Sequence, residues 1–576
     1  MKKTFIIFLS IVSVIVNAQK PSEQLNRIIS EYENNQRNSF GNRQIDSLGT
    51  GILGDVSLES YQKSYDFYKS LLTKLNGVDA SKLTRSEYIN LELLKFVIEE
   101  QTNNFEFDAH LNPLLADAGF HMSYAGMMRN ASPQNVQDYK RYIQRLRDFP
   151  RYAKQYIDLM RLGIKKGIVQ ARVIFDGYET TYKPYIVDSP EKSEFFKLFT
   201  KFPSSIDATT QQKLTVEGKA AIMESSRGFK LFSDFMDNEY LPAARKKEGI
   251  SNCTNGEAYY EMLVRYYSTM QMTVEEVHKK GLEEVARIRK EMEEVKAQTG
   301  FKGDFKEFLH FLRTDPQFYA KTPLELLKEA SYIAKQVDGK LPAYFGKLPR
   351  QSYGVEPVPD AIAPKYTGGR YSPASPESHR AGHYWVNTYN LPSRPLYNLE
   401  ALTLHEAVPG HHLQMALNYE LENVPNFRKR LYLSAYGEGW ALYTEHLGEE
   451  MGFYKNPYSK FGKLTYEMWR ACRLVVDTGI HAYGWTRQQS IDYLTNNTAL
   501  SIHECTTETD RYISWPGQAL SYKIGELKIR ELRKKAESEL GAKFNIREFH
   551  DAILSEGTVT LPLLEKIIED YIKSKK

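Results

Sequence analysis

Apolar side chains recur at three- and four-residue steps through most of this 576-residue chain, and that periodicity predicts a mainly helical molecule. Several helix starts are explicit. Thr84-Arg85-Ser86-Glu87, Thr273-Val274-Glu275-Glu276 and Thr486-Arg487-Gln488-Gln489 place a hydroxyl and a carboxyl or amide three residues apart, where each can satisfy a free N–H of the first turn. Thr322-Pro323-Leu324-Glu325 adds proline at the first helical position, which needs no N–H. Behind the second of these starts, Val274, Val277, Leu282, Val285, Ile288, Met292 and Val295 form one stripe that stops near Gly300, predicting a core-facing helix.

Between about Leu348 and Pro395 the texture changes: proline and glycine cluster, helical periodicity is lost, and His383-Tyr384-Trp385-Val386-Asn387-Thr388 has strand-like composition. The chain therefore divides into an N-terminal helical region (19–347), a Pro/Gly-rich segment with a short edge strand (348–398) and a C-terminal helical, catalytic region (399–576). There is no internal repeat or low-complexity tract, and the charged tail 573–576 reads as frayed.

Composition excludes more than it selects. With 41% hydrophobic and 26% charged residues and a formal charge of +4, the chain is an ordinary globular one for which nucleic acid is not a favoured partner. Residues 1–18 combine a basic start, the apolar run Phe5–Val16 and a small-residue end at Ala18, the pattern of a leader for Sec export to the periplasm. That run is short for a membrane span, and cysteine is absent near the cleavage point, so no stable membrane anchor is expected. Cys253, Cys472 and Cys505 allow at most one disulfide and are spaced wrongly for a structural zinc knuckle.

All five tryptophans and eight of the histidines lie after residue 380, so candidate chemistry is concentrated there. The most informative stretch is His405-Glu406-Ala407-Val408-Pro409-Gly410-His411-His412. In the common form H-E-x-x-H, the two histidines stand one helical turn apart, so both imidazoles reach one Zn²⁺ while the glutamate holds the attacking water. Here Pro409 occupies the place of the second histidine. On an unbroken helix His412 would lie seven residues, roughly 10 Å, beyond His405. Two nitrogens on one zinc lie only about 3 Å apart. The site therefore requires a break at Pro409-Gly410 that lets a later histidine fold back. A loop or bulge absorbing two residues would bring His411 to the usual position, and Gly410 eases that excursion.

Catalytic zinc typically keeps three protein ligands and one water. Tyr436-Gly437-Glu438-Gly439-Trp440 sets a carboxylate between two glycines at the start of another apolar helix, which makes Glu438 the candidate third ligand, or else an acid favoured there by the helix dipole. Glu445, seven residues further on the same helix face, is a candidate to support a ligand from behind, or a solvated charge. Asp477 and His481 stand four apart on a predicted helix and can touch, either to fix the imidazole tautomer or as a plain ion pair. The run 383–388, with Tyr384 and Asn387 in it, is a candidate edge for pairing with an extended peptide, and Arg380 a candidate contact for a substrate carboxylate or else for a structural acid.

The stretch His405-Glu406-Ala407-Val408-Pro409-Gly410-His411-His412-Leu413-Gln414, followed by Gly437-Glu438-Gly439-Trp440-Ala441-Leu442-Tyr443, resembles the bacterial family catalogued as domain of unknown function 885. Residues 473–481, Gly484-Trp485-Thr486 and residues 516–525 are similar to that family's pattern, and the resemblance covers nearly the whole mature chain. That family in turn resembles the helical gluzincins, such as angiotensin-converting enzyme, the thimet oligopeptidases and the Taq-type carboxypeptidases. The resemblance implies a large helical body with a central cleft and a short β element beside it, a zinc held by two histidines and a glutamate, and oligopeptide substrates. Matching the gluzincin Gly-His-x-Leu run to Gly410-His411-His412-Leu413 selects His411 as second ligand and leaves His412 as a supporting or substrate contact. It further implies a phenol or imidazole donor for the developing oxyanion, for which Tyr522 and His481 are the candidates.

The expected function is a secreted zinc metallopeptidase in which Glu406 takes a proton from the attacking water and passes it to the leaving amine. Two other readings stand beside it: a peptide- or metal-binding protein on the same body without hydrolysis, and a metal-dependent hydrolase of another amide or ester. Retention of a glutamate beside His405 favours hydrolysis, since binding alone needs no general base.

Overall fold

The computed structural model describes residues 20–43, 52–360, 362–375 and 379–576, so the proposed leader, residues 1–18, lies outside the described residues. The chain is mainly α-helical with one three-stranded sheet. The start signals act as their chemistry requires. Thr84, Thr273 and Thr486 each cap a helix reciprocally with Glu87, Glu276 and Gln489. Thr322 accepts from the Glu325 N–H, but the Glu325 carboxylate turns to the Lys321 N–H instead.

The helix Val274–Gln298 buries Val277, Ile288, Met292 and Val295, whereas Leu282, expected on the stripe, is exposed. At 3.6 residues per turn it falls about 80° from Val274, off the buried line. Gly281 takes the inward place. A Cβ there would stand 2.7 Å from Leu474 and 2.8 Å from Val475, so glycine permits the close approach of this helix to the helix Pro457–His481.

Pro457–His481 is the axis of the molecule: every residue from Phe461 to His481 is buried. A helix buried all round is ordinarily apolar, yet this one carries Lys463, Glu467, Arg470, Arg473, Asp477 and His481 at three- and four-residue steps, a polar stripe through the core. Each of these side chains meets at least one partner from another helix or turn. Lys523 lies 3.0 Å from Glu467, Glu445 lies 3.2 Å from Arg470, and Glu508 lies 2.9 Å from Arg473. One continuous apolar core, reaching from Leu53 to Ile572, joins the three sequence regions, and the N-terminal helices pack a smaller cluster around Leu25, Leu71 and Leu94.

The Pro/Gly-rich segment forms strands β1 (Tyr353–Pro357), β2 (Gly369–Ser372) and β3 (Gly382–Val386) in the order β1-β3-β2. β3 pairs parallel with β1 and antiparallel with β2. The run His383–Thr388 is therefore no edge: its strand is central, with both sides paired. β2 is the edge strand that lies against the site. Among the described residues, no helix is long and apolar enough to cross a membrane.

Candidate metal centre

The helix Leu399–Glu406 ends immediately before the insertion, and a second helix, His411–Tyr419, begins at the next histidine. The Ala407 N–H closes the first helix on Thr403, and the His412 N–H reaches back five residues to the Ala407 carbonyl, a wide turn that absorbs the extra residues. The Val408–Pro409 peptide is cis. Gly410 is required by space: a Cβ there would lie 1.9 Å from the His405 carbonyl oxygen and 2.5 Å from that of Leu404. Carbonyls around the break are satisfied by the helix Ser434–Glu450. Trp440 Nε1 donates to Pro409 at 2.9 Å and the Thr444 hydroxyl donates to Leu404 at 2.9 Å.

The break sets the His405 and His411 rings perpendicular, 4.8 Å apart between centroids. His405 Nε2 and His411 Nε2 converge on the same Glu438 oxygen, Oε2, at 3.5 and 3.3 Å. Donor atoms of all three lie within 4.8 Å of one another. Ligand atoms about 2.1 Å from a tetrahedral zinc stand roughly 3.4 Å apart, so this nitrogen, nitrogen and oxygen set fits that ion. Glu438 reaches it because its flanking glycines admit neighbours: a Cβ on Gly437 would meet the Tyr432 ring at 2.4 Å, and one on Gly439 would meet Gly525 Cα at 2.5 Å.

The imidazole tautomer is set from behind. Glu445, buried on the Glu438 helix, accepts from His405 Nδ1 at 2.7 Å and is itself paired with Arg470, which turns Nε2 of His405 toward the cavity. Burial disfavours charge on both His405 and Glu438. Hydrogen bonds that His405 donates to the Glu438 and Glu445 carboxylates nonetheless hold it up at about 10, and the two imidazoles hold Glu438 well below the carboxylate range. The pocket thus favours positive charge at its centre.

Glu406, beside His405, lines the same cavity of about 330 Å³, with its Oε2 held at 2.8 Å by the backbone N–H of Tyr371 on β2. Tyr522 lines this cavity as well. Tyr432, which no spacing in the sequence singles out, donates to Glu438 Oε1 at 2.8 Å. β2 was likewise missed, because Gly369-Arg370-Tyr371-Ser372 has no β-branched residue and only four positions to show alternation.

The other candidates lie elsewhere. His481 does not face the cavity: its Nδ1 accepts from the Ile250 N–H at 3.0 Å and its Nε2 donates to the Tyr512 carbonyl at 2.9 Å, so neither nitrogen is available to a substrate. Asp477 does not orient it, since its carboxylate accepts from Tyr260 at 2.6 Å and from the Gly517 N–H at 3.1 Å, and burial lifts it to about 7. Tyr384 is wholly buried against Thr403, and the Asn387 amide donates to the carbonyls of Ala363, Tyr366 and Thr367, so both brace the segment rather than meet a ligand. Arg380 is exposed and outside the cavity lining. His412 lies behind β2, its Nδ1 2.9 Å from the Tyr371 hydroxyl, where burial lowers it to about 4. It supports the strand and does not line the cavity.

Fold and site together define a mainly helical protein with two buried histidines and a partly buried glutamate converging beside a small sheet's edge. The family model described as "Bacterial protein of unknown function (DUF885)" matches residues 38–568, and the chain belongs to that family. It is similar, at TM-score 0.86 and 27% identity over 96% of this chain and 100% of the other, to the crystal structure of "the putative lipoprotein from Colwellia psychrerythraea". A second such protein, of unknown function, from Shewanella oneidensis shares the fold at TM-score 0.70 and 17% identity, with 96% of this chain and 100% of that one covered. Comparison with curated proteins found no match.

Proposed function

We propose that this chain is a zinc-dependent peptidase of oligopeptides, related in chemistry to the helical gluzincins. The observation that carries the reading is the placing of Glu406, one residue from His405, on the wall of the cavity that holds the converging His405, His411 and Glu438 donors. Those three residues would hold the ion. Bound there, it supplies Lewis acidity, making a water easier to deprotonate and a carbonyl easier to attack.

The rest is done by the chain's own groups. The Tyr371 N–H fixes one oxygen of Glu406, leaving Oε1 to accept a proton and later deliver it to the departing amine. Tyr522, on the wall of the same cavity, would donate to a carbonyl oxygen as it gains charge. β2 is an edge strand beside Glu406, and the backbone groups of that edge other than the Tyr371 N–H, which Glu406 takes, suit an extended peptide paired without reading its side chains. The leader-like pattern of residues 1–18 supports export to the periplasm.

The test is zinc content together with cleavage of a broad oligopeptide library. Wild type is expected to bind close to one zinc and cleave, and Glu406→Gln to keep its zinc while losing at least about a hundredfold in rate. A zinc-loaded wild type that cleaves no member of the library overturns the proposal.

A further inference from the structure

Four arginines, Arg370, Arg470, Arg473 and Arg511, line the cavity along with four glutamates, and three of the four arginines stand around Tyr522. Arg473 is 2% exposed: its Nε donates to Tyr512 and its Nη2 to Glu508, both at 2.9 Å, while Nη1 is buried without a partner among the described residues. Its guanidinium lies 4.3 Å from the Trp469 ring centroid and 4.2 Å from that of Tyr522, held between two aromatic faces. Arg511 donates to Gln518 at 2.7 Å and to the Tyr522 hydroxyl at 3.4 Å, and its other nitrogen lies 3.4 Å from Glu508. Two guanidiniums thus share one carboxylate, and together they outweigh the burial of Glu508 and hold it at about 2. Arg370, on the edge strand, lines the same wall and forms no ion pair among the described residues, while its charge acts on Tyr522, Glu406 and Arg511. Of the other acids lining the cavity, Glu438 faces the two imidazoles, Glu406 is held by the Tyr371 N–H, and Glu504 is lifted by burial to about 7.

We propose that Arg473, Arg511 and Arg370, grouped around Tyr522, form a subsite for a substrate carboxylate, either the free α-carboxylate at a peptide's C-terminus or an acidic side chain beside the cleaved bond. The chemistry is the planar fork of guanidinium meeting the two oxygens of a carboxylate in a partly dry cavity, where such pairs are strong and directional. Tyr522 ties this subsite to the reacting bond, since its ring packs on Arg473 and its hydroxyl touches Arg511. The inference rests on the peptidase reading but is tested apart from it.

Zinc-loaded Glu406→Gln protein is titrated calorimetrically with N-acetyl-trialanine, its C-terminal amide, and N-acetyl-Ala-Ala-Asp amide. A carboxylate is expected to tighten binding about tenfold over the uncharged amide. Preference for the first peptide identifies the terminal carboxylate, and preference for the third identifies the acidic side chain. Arg370→Gln and Arg511→Gln, each checked for unaltered thermal unfolding, are expected to reduce that preference severalfold. Carboxylate preference below threefold, absence of any binding, or a preference that survives both substitutions overturns the subsite. If wild type cleaves peptides with no such preference, this inference alone fails; if it cleaves nothing while the preference persists, the peptidase reading alone fails.

Discussion

His405 and His481 look alike in the sequence and in their burial. Each stands in the last turn of a helix, each is fully enclosed, and each has a carboxylate within a turn or two on a nearby or shared helix. Their second nitrogens separate them. His405 gives Nδ1 to Glu445 and turns Nε2 toward the cavity, whereas both nitrogens of His481 are consumed by backbone groups of Ile250 and Tyr512. A buried imidazole with one nitrogen anchored and one aimed at other donors is organised for a ligand; one with both anchored is a cross-link. The lesson extends to the adjacent pair His411 and His412, of which the first faces Glu438 and the second braces Tyr371.

The sharpest way to break this comparison is to delete each ring. His405→Ala is expected to weaken zinc binding by at least about a hundredfold, since it removes one of three protein ligands. His481→Gln should leave zinc affinity unchanged and cost about 1 to 3 kcal/mol of stability through its buried hydrogen bonds. Competition with a chromophoric chelator and urea unfolding measure the two effects; equal zinc loss in both variants would refute the distinction. A smaller effect is expected from Glu445→Gln, which keeps a hydrogen-bond acceptor behind His405 but removes its charge. Zinc affinity should fall about ten- to a hundredfold, as read by the same competition assay, with the metal-free protein still folded by circular dichroism.

Much of this was legible in the chain. The capping threonines announced their helices, and Pro409-Gly410 announced a break in the motif helix because an intact helix cannot bring the histidines together. Glu438 could be chosen because glycines on both sides allow close packing. What stayed hidden depended on distant partners. Asp477 and His481 have helical spacing suited to touching, but Tyr260 and Ile250, more than two hundred residues upstream, hold them in separate bonds. The central position of β3 likewise follows from pairing with Tyr353–Pro357 and Gly369–Ser372, a choice local propensity does not encode. Leu282 failed for a simpler reason: glycine carries no hydropathy signal, so the position that enters the core looked empty.

The least effect per residue concerns acid. His121, His481 and His550 are each fully buried and each lowered by burial to about 3. In the unfolded chain they titrate near 6.5. Because the folded value is the lower one, their contribution to stability is fully present above pH 6.5 and is lost as pH falls through the window from 6.5 toward 3. Each should remove about 1 to 2 kcal/mol between pH 7 and pH 5, as the unfolded state gains a proton that the folded state refuses. Urea midpoints at the two pH values measure the loss. His481→Gln, less stable at pH 7, should lose less on going to pH 5 than wild type does, by roughly the share of one histidine. Zinc release at low pH acts on both proteins equally, because His481 touches none of the donor set, so the difference between them isolates the cross-linking imidazole from the one that faces the cavity.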